Sequence, residues 1–377
     1  MPYLEQMALE MTQVKRWFEP GRLVEQLHWG GGTPSYLSDL ELEWLINQLR
    51  SHFHLRRDDG GDYGIEIHPG RTAARSLLTL RRLGFNRLSM GVQDFDPAVQ
   101  AAVNRYNTPE EVGTLVRVAR EQGFHSINMD LIYGLPLQTP EGFGKTLEQV
   151  IQLRPDRLSV FSYAHLPHLF KSQKLIHDQD LPSAETKLGL LRLAIEKLQG
   201  AGYVYVGMDH FALPEDSLVK AQAEGRMQRN FQGYATHGDC DLVSLGVSAI
   251  SHFGDAYVQN AKHLIGYQQR LEAGDLAFVR GFVTSAEDRL RRYVIGQLIC
   301  HFQLNFAELK RLYAVDAQTY FAAELAQLGP MMEDGLLSLD DQGIRVHNAG
   351  RLLIRRLCMV FDAYLNQGNQ IRYSRVI

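Results

Sequence analysis

Residues 28–37, "HWGGGTPSYL", place three glycines and a Thr-Pro at the end of an apolar run. Three adjacent glycines are costly to order unless the backbone must approach something closely. For this stretch alone, a tight turn and a ligand cradle built on Gly30, Gly31, Gly32 and Thr33 both remain open. Glu66 lies inside the run "GIEIHP" and Asp130 inside "NMDLIYG". A carboxylate in such a run must be paired or must face a polar cavity, and a structural salt bridge competes with a ligand role at each. Gln93 and Asp94 end the run "RLSMGVQD", and Arg105 ends the short helix after it. His68, Tyr133, Tyr163, His165, Asp209 and His210 end or follow other strand-like runs, and each is a weak signal by itself. Together the set offers glycine backbone, one guanidinium and two carboxylates. That chemistry suits a zwitterion with hydroxyls: a cradle for an amino-acid end, Arg105 for its carboxylate, Glu66 and Asp130 for a ribose diol. A nucleoside joined to an amino acid fits the description.

These residues share a rim only if the elements carrying them are parallel. Strand-like runs at 23–31, 63–69, 87–95, 126–134, 157–164 and 203–211 alternate with helical ones. Ser38, Thr108-Pro109 with Glu111, Thr139-Pro140 and Ser183 open helices, and Gly84, Gly123 and Gly200 close them. Strands joined through helices imply a parallel sheet with right-handed crossovers, in which ligands meet the carboxyl ends of the strands. The fold class expected is α/β, a partial parallel βα barrel, with a doubly wound open sheet as the alternative. An amphipathic helix over residues 3–18 precedes the first strand with no strand before it, so the barrel is expected to lack its first strand and the loop after it. From residue 265 the texture becomes short helices, then a strand, an Asp-Gln-Gly turn, a strand and a final helix. Two domains are expected: a barrel with its extension over 1–264 and a helical, winged-helix-like domain over 265–377.

The chain has 377 residues, a formal net charge of −4 and 45% hydrophobic residues. No basic field favours nucleic acid as a partner, no apolar run approaches a membrane span, and the acidic start lacks the marks of a secretory signal. The expected location is the cytoplasm. Cys240, Cys300 and Cys358 form no local cluster, so they read as small buried hydrophobes rather than metal ligands.

The stretches "HWGGGTPSYL", "RLSMGVQDFDPAVQAAVNR", "NMDLIYGLPLQTPEGFGKTL" and "PDRLSVFSYAHLP" closely resemble the oxygen-independent coproporphyrinogen III oxidases, radical S-adenosylmethionine enzymes of haem biosynthesis. The likeness extends through "GMDHFALPEDSL", "RNFQGYATHGDCDLVSLGVSAIS" and "AGRLLIRRLCMVFDAYL" to the closing "YSRVI". The resemblance implies oxidative decarboxylation of two propionates of coproporphyrinogen III to vinyl groups. A reduced [4Fe–4S] cluster would cleave S-adenosylmethionine to a 5′-deoxyadenosyl radical, with electrons from a donor of unidentified nature. Carried over by motif, Gly31, Gly32, Thr33, Glu66, Gln93, Arg105 and Asp130 would contact S-adenosylmethionine, and Ala164 and Ile250 would line its sites. The family's Cys-x-x-x-Cys-x-x-Cys loop follows its first barrel strand, and none of Cys240, Cys300 and Cys358 matches it. The chain alone is therefore expected to be inactive, and to be a monomer without nucleic-acid or membrane partners. The alternative is a cluster-free homologue that binds S-adenosylmethionine or a tetrapyrrole without radical chemistry.

Overall fold

The computed structural model describes residues 2–238 and 240–365; the closing "YSRVI" lies outside them. The chain opens with α1 (Pro2–Val14) and then alternates β1 (Gln26–Trp29), α2 (Asp39–His52), β2 (Asp62–Ile67), α3 (Ala74–Arg82), β3 (Arg87–Gln93), α4 (Pro109–Glu121), β4 (Ser126–Tyr133), α5 (Pro140–Leu153), β5 (Arg157–Ser162) and α6 (Ala184–Gly200). Ser38 with Glu41, and Thr108 with Glu111, form reciprocal capping boxes that satisfy the first amides of α2 and α4. Thr139 and Ser183 accept from amides in the first turns of α5 and α6.

Strands β1 to β5 pair in parallel in chain order. Burial alternates residue by residue along β2, β3 and β4. Ile65, Ile67, Leu88, Met90, Val92, Met129 and Leu131 are buried, in one core cluster with Leu45, Leu77, Leu115, Leu147 and Leu190 from α2 to α6. Those helices therefore cover a single face of the sheet, which is barrel winding rather than double winding. The other face carries Asp62, Gly64 and Glu66, then Arg87, Ser89 and Gly91, then Asn128 and Asp130, and it is polar.

Two of the expected strands are divided. The run 23–31 breaks at Glu25: Leu23–Val24 pairs with His54–Leu55, while β1 joins the main sheet. Glu25 turns its carbonyl to the Asp62 amide and its carboxylate to Arg56 at 2.8 Å. The run 203–211 is a hairpin of β6 (Val204–Gly207) and β7 (His210–Ala212). Gly207 (φ +145°) and Met208 (φ +52°) take up the reversal. The reversal puts β7 antiparallel between β5 and β6. Asp209 and His210 accordingly occupy a turn and a strand start, not the carboxyl end of a sixth parallel strand. The seven-stranded sheet stays open, with β1 and β6 as its edges.

Beyond it stands an antiparallel sheet of β8 (Ile250–Phe253), β9 (Ala256–Asn260) and β10 (Phe278–Val283), with α7 (Leu264–Glu272) between the last two strands. A division at 264/265 would cut this sheet, because β9 and β10 pair across it; we place the division near residue 284. Glu10 of α1 is fully buried and accepts hydrogen bonds from Tyr267 Oη (2.7 Å), the Gly246 amide (2.8 Å) and Asn260 Nδ2 (2.6 Å). That carboxylate clamps the first helix to α7 and β9.

The remainder has its own core. It runs α8 (Ala286–His301), β11 (Gln303–Asn305), α9 (Phe306–Tyr313), three helical turns between Ala317 and Glu333, β12 (Leu337–Leu339) and β13 (Gly343–Val346). The three strands form one antiparallel sheet, the helix-and-hairpin order of a winged helix.

Ion pairs brace the amino-terminal end of the main sheet's polar face. Arg87 meets Asp62 at 2.8 Å and Arg157 meets Asp216 at 2.9 Å, and both guanidinium groups also donate to Ser217 Oγ. Asp216 is only 5% exposed in its side chain. Replacing Arg157 by Met leaves that carboxylate buried without its cation, and removing one partner of such a pair costs about 3–5 kcal/mol. Urea unfolding of Arg157→Met should show a loss of that size; an unchanged midpoint would show that the pair does not brace the sheet.

Candidate functional site

The polar face of β2, β3 and β4 opens at its carboxyl end into a cavity of about 170 Å³. Gly32, Thr33, Glu66, Ile67, His68, Ser89, Gly91, Gln93, Arg105 and Asp130 line it. The register explains the grouping. Glu66 pairs with Ser89 across β2 and β3, and Gly91 pairs with Asp130 across β3 and β4. Paired positions in a parallel sheet share a face, so both carboxylates project to the same side.

Glu66 Oε1 lies 3.2 Å from His28 Nε2 and otherwise faces the cavity. A Cβ at Gly30 would lie 2.5 Å from Glu66 Oε1, so a side chain there would push the Glu66 carboxylate and the His28 ring from their present places. Asp130 accepts from Ser89 Oγ at 3.0 Å and from Asn128 Nδ2 at 2.8 Å. Burial nonetheless raises its pKa, against the lowering effect of those bonds. Arg105 sends Nε and Nη2 to the Gly91 carbonyl at 3.1 and 2.8 Å, which leaves the Nη1–Nη2 edge for another partner. Burial lowers the Arg105 pKa, and Asp130 partly offsets this. A side chain at Gly91 would collide with the guanidinium.

Two polar atoms on this cavity are buried without partners: Gln93 Oε1 and His68 Nδ1. Gln93 is held at φ +70°, rare for a side-chain-bearing residue, where the β3–β4 register shifts. His68 is pushed towards its neutral form by burial and by Arg105 and Arg71. Unsatisfied polar atoms around a hollow are what a ligand with donors and acceptors would complete.

Six of the nine residues carried over by motif line the cavity, namely Gly32, Thr33, Glu66, Gln93, Arg105 and Asp130, and so does His68, singled out at a strand end. Gly31 is adjacent, at φ +91°. Ala164 follows β5, and its carbonyl accepts from Gln173 Nε2 at 3.1 Å. Ile250 opens β8 and pairs with Gln259. Neither Ala164 nor Ile250 is in the lining. Asp94 is buried elsewhere, accepting from Thr146 Oγ1 at 2.6 Å and Gln138 Nε2 at 2.5 Å, so it ties loops rather than facing a ligand. Tyr133, Tyr163, His165, Asp209 and His210 also lie outside the lining; Asp209 pairs with Arg355 at 3.0 Å. Ser89 and Gly91 carry no chemical signal of their own in the sequence, although they alternate with Gln93 along β3 and so had to share its face.

Profiles of two families match the chain: the radical SAM superfamily over residues 4–150 and the HemN C-terminal domain over residues 284–353. The oxygen-independent coproporphyrinogen III oxidase of Pseudomonas aeruginosa is 53% identical over 376 residues, covering 100% of this chain and 82% of that relative. The chain belongs to the oxygen-independent coproporphyrinogen III oxidase family. The oxidase of Escherichia coli is 48% identical over the same span. Its solved structure, described as a radical SAM enzyme, superposes with a TM-score of 0.94 over 97% of this chain and 83% of that one. The cavity thus lies at the carboxyl ends of parallel strands in a coproporphyrinogen III oxidase fold.

Because burial raises the Asp130 pKa, the stability linked to this group is fully present below its unfolded pKa of about 3.9 and is lost as pH rises through the folded value. At neutral pH, without ligand, Asp130→Asn should therefore be more stable than the parent. The gain should vanish in acid. Urea midpoints measured across pH test this, and a less stable variant at pH 7 would contradict it.

Proposed function

We propose that the cavity holds S-adenosylmethionine and that the chain serves the oxidative decarboxylation of two coproporphyrinogen III propionates to vinyl groups, giving protoporphyrinogen IX. The observation that carries this reading is the convergence of Glu66, Asp130, Gln93 and the free edge of Arg105 on one hollow whose polar atoms are incompletely satisfied. That donor and acceptor set fits a ligand with a ribose diol at one end and an ammonium and a carboxylate at the other. When bound and given one electron by an iron–sulfur cluster, S-adenosylmethionine would supply hydrogen-atom abstraction from the substrate; this chain's residues would supply orientation and exclusion of water.

Glu66 and Asp130 would accept from ribose hydroxyls, and the Nη1–Nη2 edge of Arg105 would grip the methionine carboxylate with two parallel bonds. Gln93 Oε1 would accept from the ammonium. Neutral His68 would orient the ligand without adding a second positive charge beside Arg105. The backbone of Gly31, Gly32 and Thr33 would close over it, and Ala164 and Ile250 would cover its apolar surface.

The residues present do not fit an iron–sulfur cluster. Among the described residues no group of three or more His, Cys, Asp or Glu could hold a metal ion. Cys300 and Cys358 are buried, and burial pushes both thiols up to about 12. Thiols held that firmly protonated are poor metal ligands. That observation favours a second reading, a binding protein for S-adenosylmethionine or a tetrapyrrole without radical chemistry.

Titration calorimetry should show S-adenosylmethionine binding to this chain, weakened about 10- to 100-fold by Arg105→Lys, the range for losing a charge-assisted bond. Equal affinity for both proteins would remove Arg105 from the site. Anaerobic reconstitution of this chain with iron and sulfide should yield neither iron–sulfur absorption nor 5′-deoxyadenosine under reducing conditions. Cys240, expected from the sequence to be buried, is instead exposed. Formation of either would overturn the assignment of Cys300 and Cys358 as packing residues.

A further inference from the structure

The antiparallel sheet β8–β9–β10 turns one face outward, and that face has a composition of its own. Register places Ile250, Gln259 and Arg280 in one row across the three strands, and His252, Tyr257 and Phe282 in the next row on the same face. Neighbouring strands lie about 4.8 Å apart, so Arg280 stands about 10 Å across the sheet from Ile250.

The second row is aromatic. His252 stacks on Tyr257 with centroids 4.2 Å apart and planes at 22°, and Phe231 meets Tyr257 edge-on at 5.8 Å. Arg292 Nη1 holds this stack from below, 2.9 Å from His252 Nε2 and 3.0 Å from Tyr257 Oη. Phe231 and Phe282 are 61% and 47% exposed, and Phe282 also meets Tyr364 edge-on at 6.1 Å.

The first row leads to a cavity of about 370 Å³ at the end of β9, lined by Gln259, Lys262, His263 and Arg280 with small or apolar neighbours. Among the described residues no acidic side chain lines it. Lys262 and Arg280 have no ion-pair partner among the described residues, although the chain is net acidic. Two unpaired cations beside exposed rings complement an apolar macrocycle with carboxylates at its edge.

We propose that this face is the substrate platform: the macrocycle of a tetrapyrrole polycarboxylate lies over Tyr257 and Phe282, and Lys262 and Arg280 take its propionates. The proposal rests on the function proposed above and adds to it the residues that choose the substrate. Discrimination by carboxylate number follows, because a ligand without propionates leaves both cations unmatched.

The test uses coproporphyrin III, the stable oxidised form of the substrate, and this chain as it stands. Its absorbance or fluorescence titration should show saturable binding that Lys262→Ala and Arg280→Ala each weaken about tenfold or more. S-adenosylmethionine affinity and the unfolding midpoint should stay at the parent values, because both side chains are exposed and outside the cofactor cavity. If the parent binds coproporphyrin III and neither variant is weakened, the platform is wrong and the proposed function stands. If the parent binds S-adenosylmethionine but not coproporphyrin III, both the platform and the assigned substrate fall. An equal loss of affinity for both ligands in the variants would mark a structural role and also overturn the platform.

Discussion

A β-strand must place successive side chains on opposite faces, and in the central sheet the two faces answer to different surroundings. One face meets helices α2 to α6 and is uniformly apolar; the other meets the barrel interior and carries nearly every polar group of the strands. A slip of one residue in β2, β3 or β4 would exchange Ile65 for Glu66, Met90 for Gly91 or Met129 for Asp130. Burial of the apolar face thus fixes the register of the strands, and the register in turn fixes which polar atoms share the cavity. Site and core follow from one constraint.

Along that polar face the two ends are treated differently. At the amino-terminal end Asp62, Arg87, Arg157, Asp216 and Ser217 bond one another, and Arg87 Nη1 is left over. At the carboxyl end Gln93 Oε1 and His68 Nδ1 are left unsatisfied, and Gln93 adopts a backbone conformation that few side-chain-bearing residues tolerate. Oppositely charged partners brace the first end, whereas backbone strain at Gln93 is confined to the end where a ligand would enter, a common relation between stability and function in an enzyme fold.

Much of this is legible in the amino-acid sequence. Glu66 and Asp130 stand out there because a carboxylate inside an apolar run has few physical explanations. The Ser-x-x-Glu and Thr-Pro-Glu starts locate α2 and α4 because their chemistry is local. Other features are less open to reading because they depend on distant partners. The residues of β8 to β10 are mixed in polarity, and their pairing is visible only once the chain has folded back. The hairpin 203–211 hides in a run of strand-forming residues interrupted only by Gly207 and Met208. Ser89 and Gly91 are small, and only their neighbours across β3 give them a role. The missing contact of Ala164 and Ile250 with the cavity is likewise beyond the motif that names them.

Glu10 has a further consequence, for synthesis. Its partner Tyr267 follows it by 257 residues, and Gly246 and Asn260 by nearly as many. A ribosome adding about 5–20 residues per second needs roughly 10–50 s to cover that distance. Throughout that interval the first helix has emerged, and its buried carboxylate has no donors to receive. Helix α1, whose Leu4 and Met11 share a core with α2, can dock early, but the bonds to its buried carboxylate close only after residue 267 has been made.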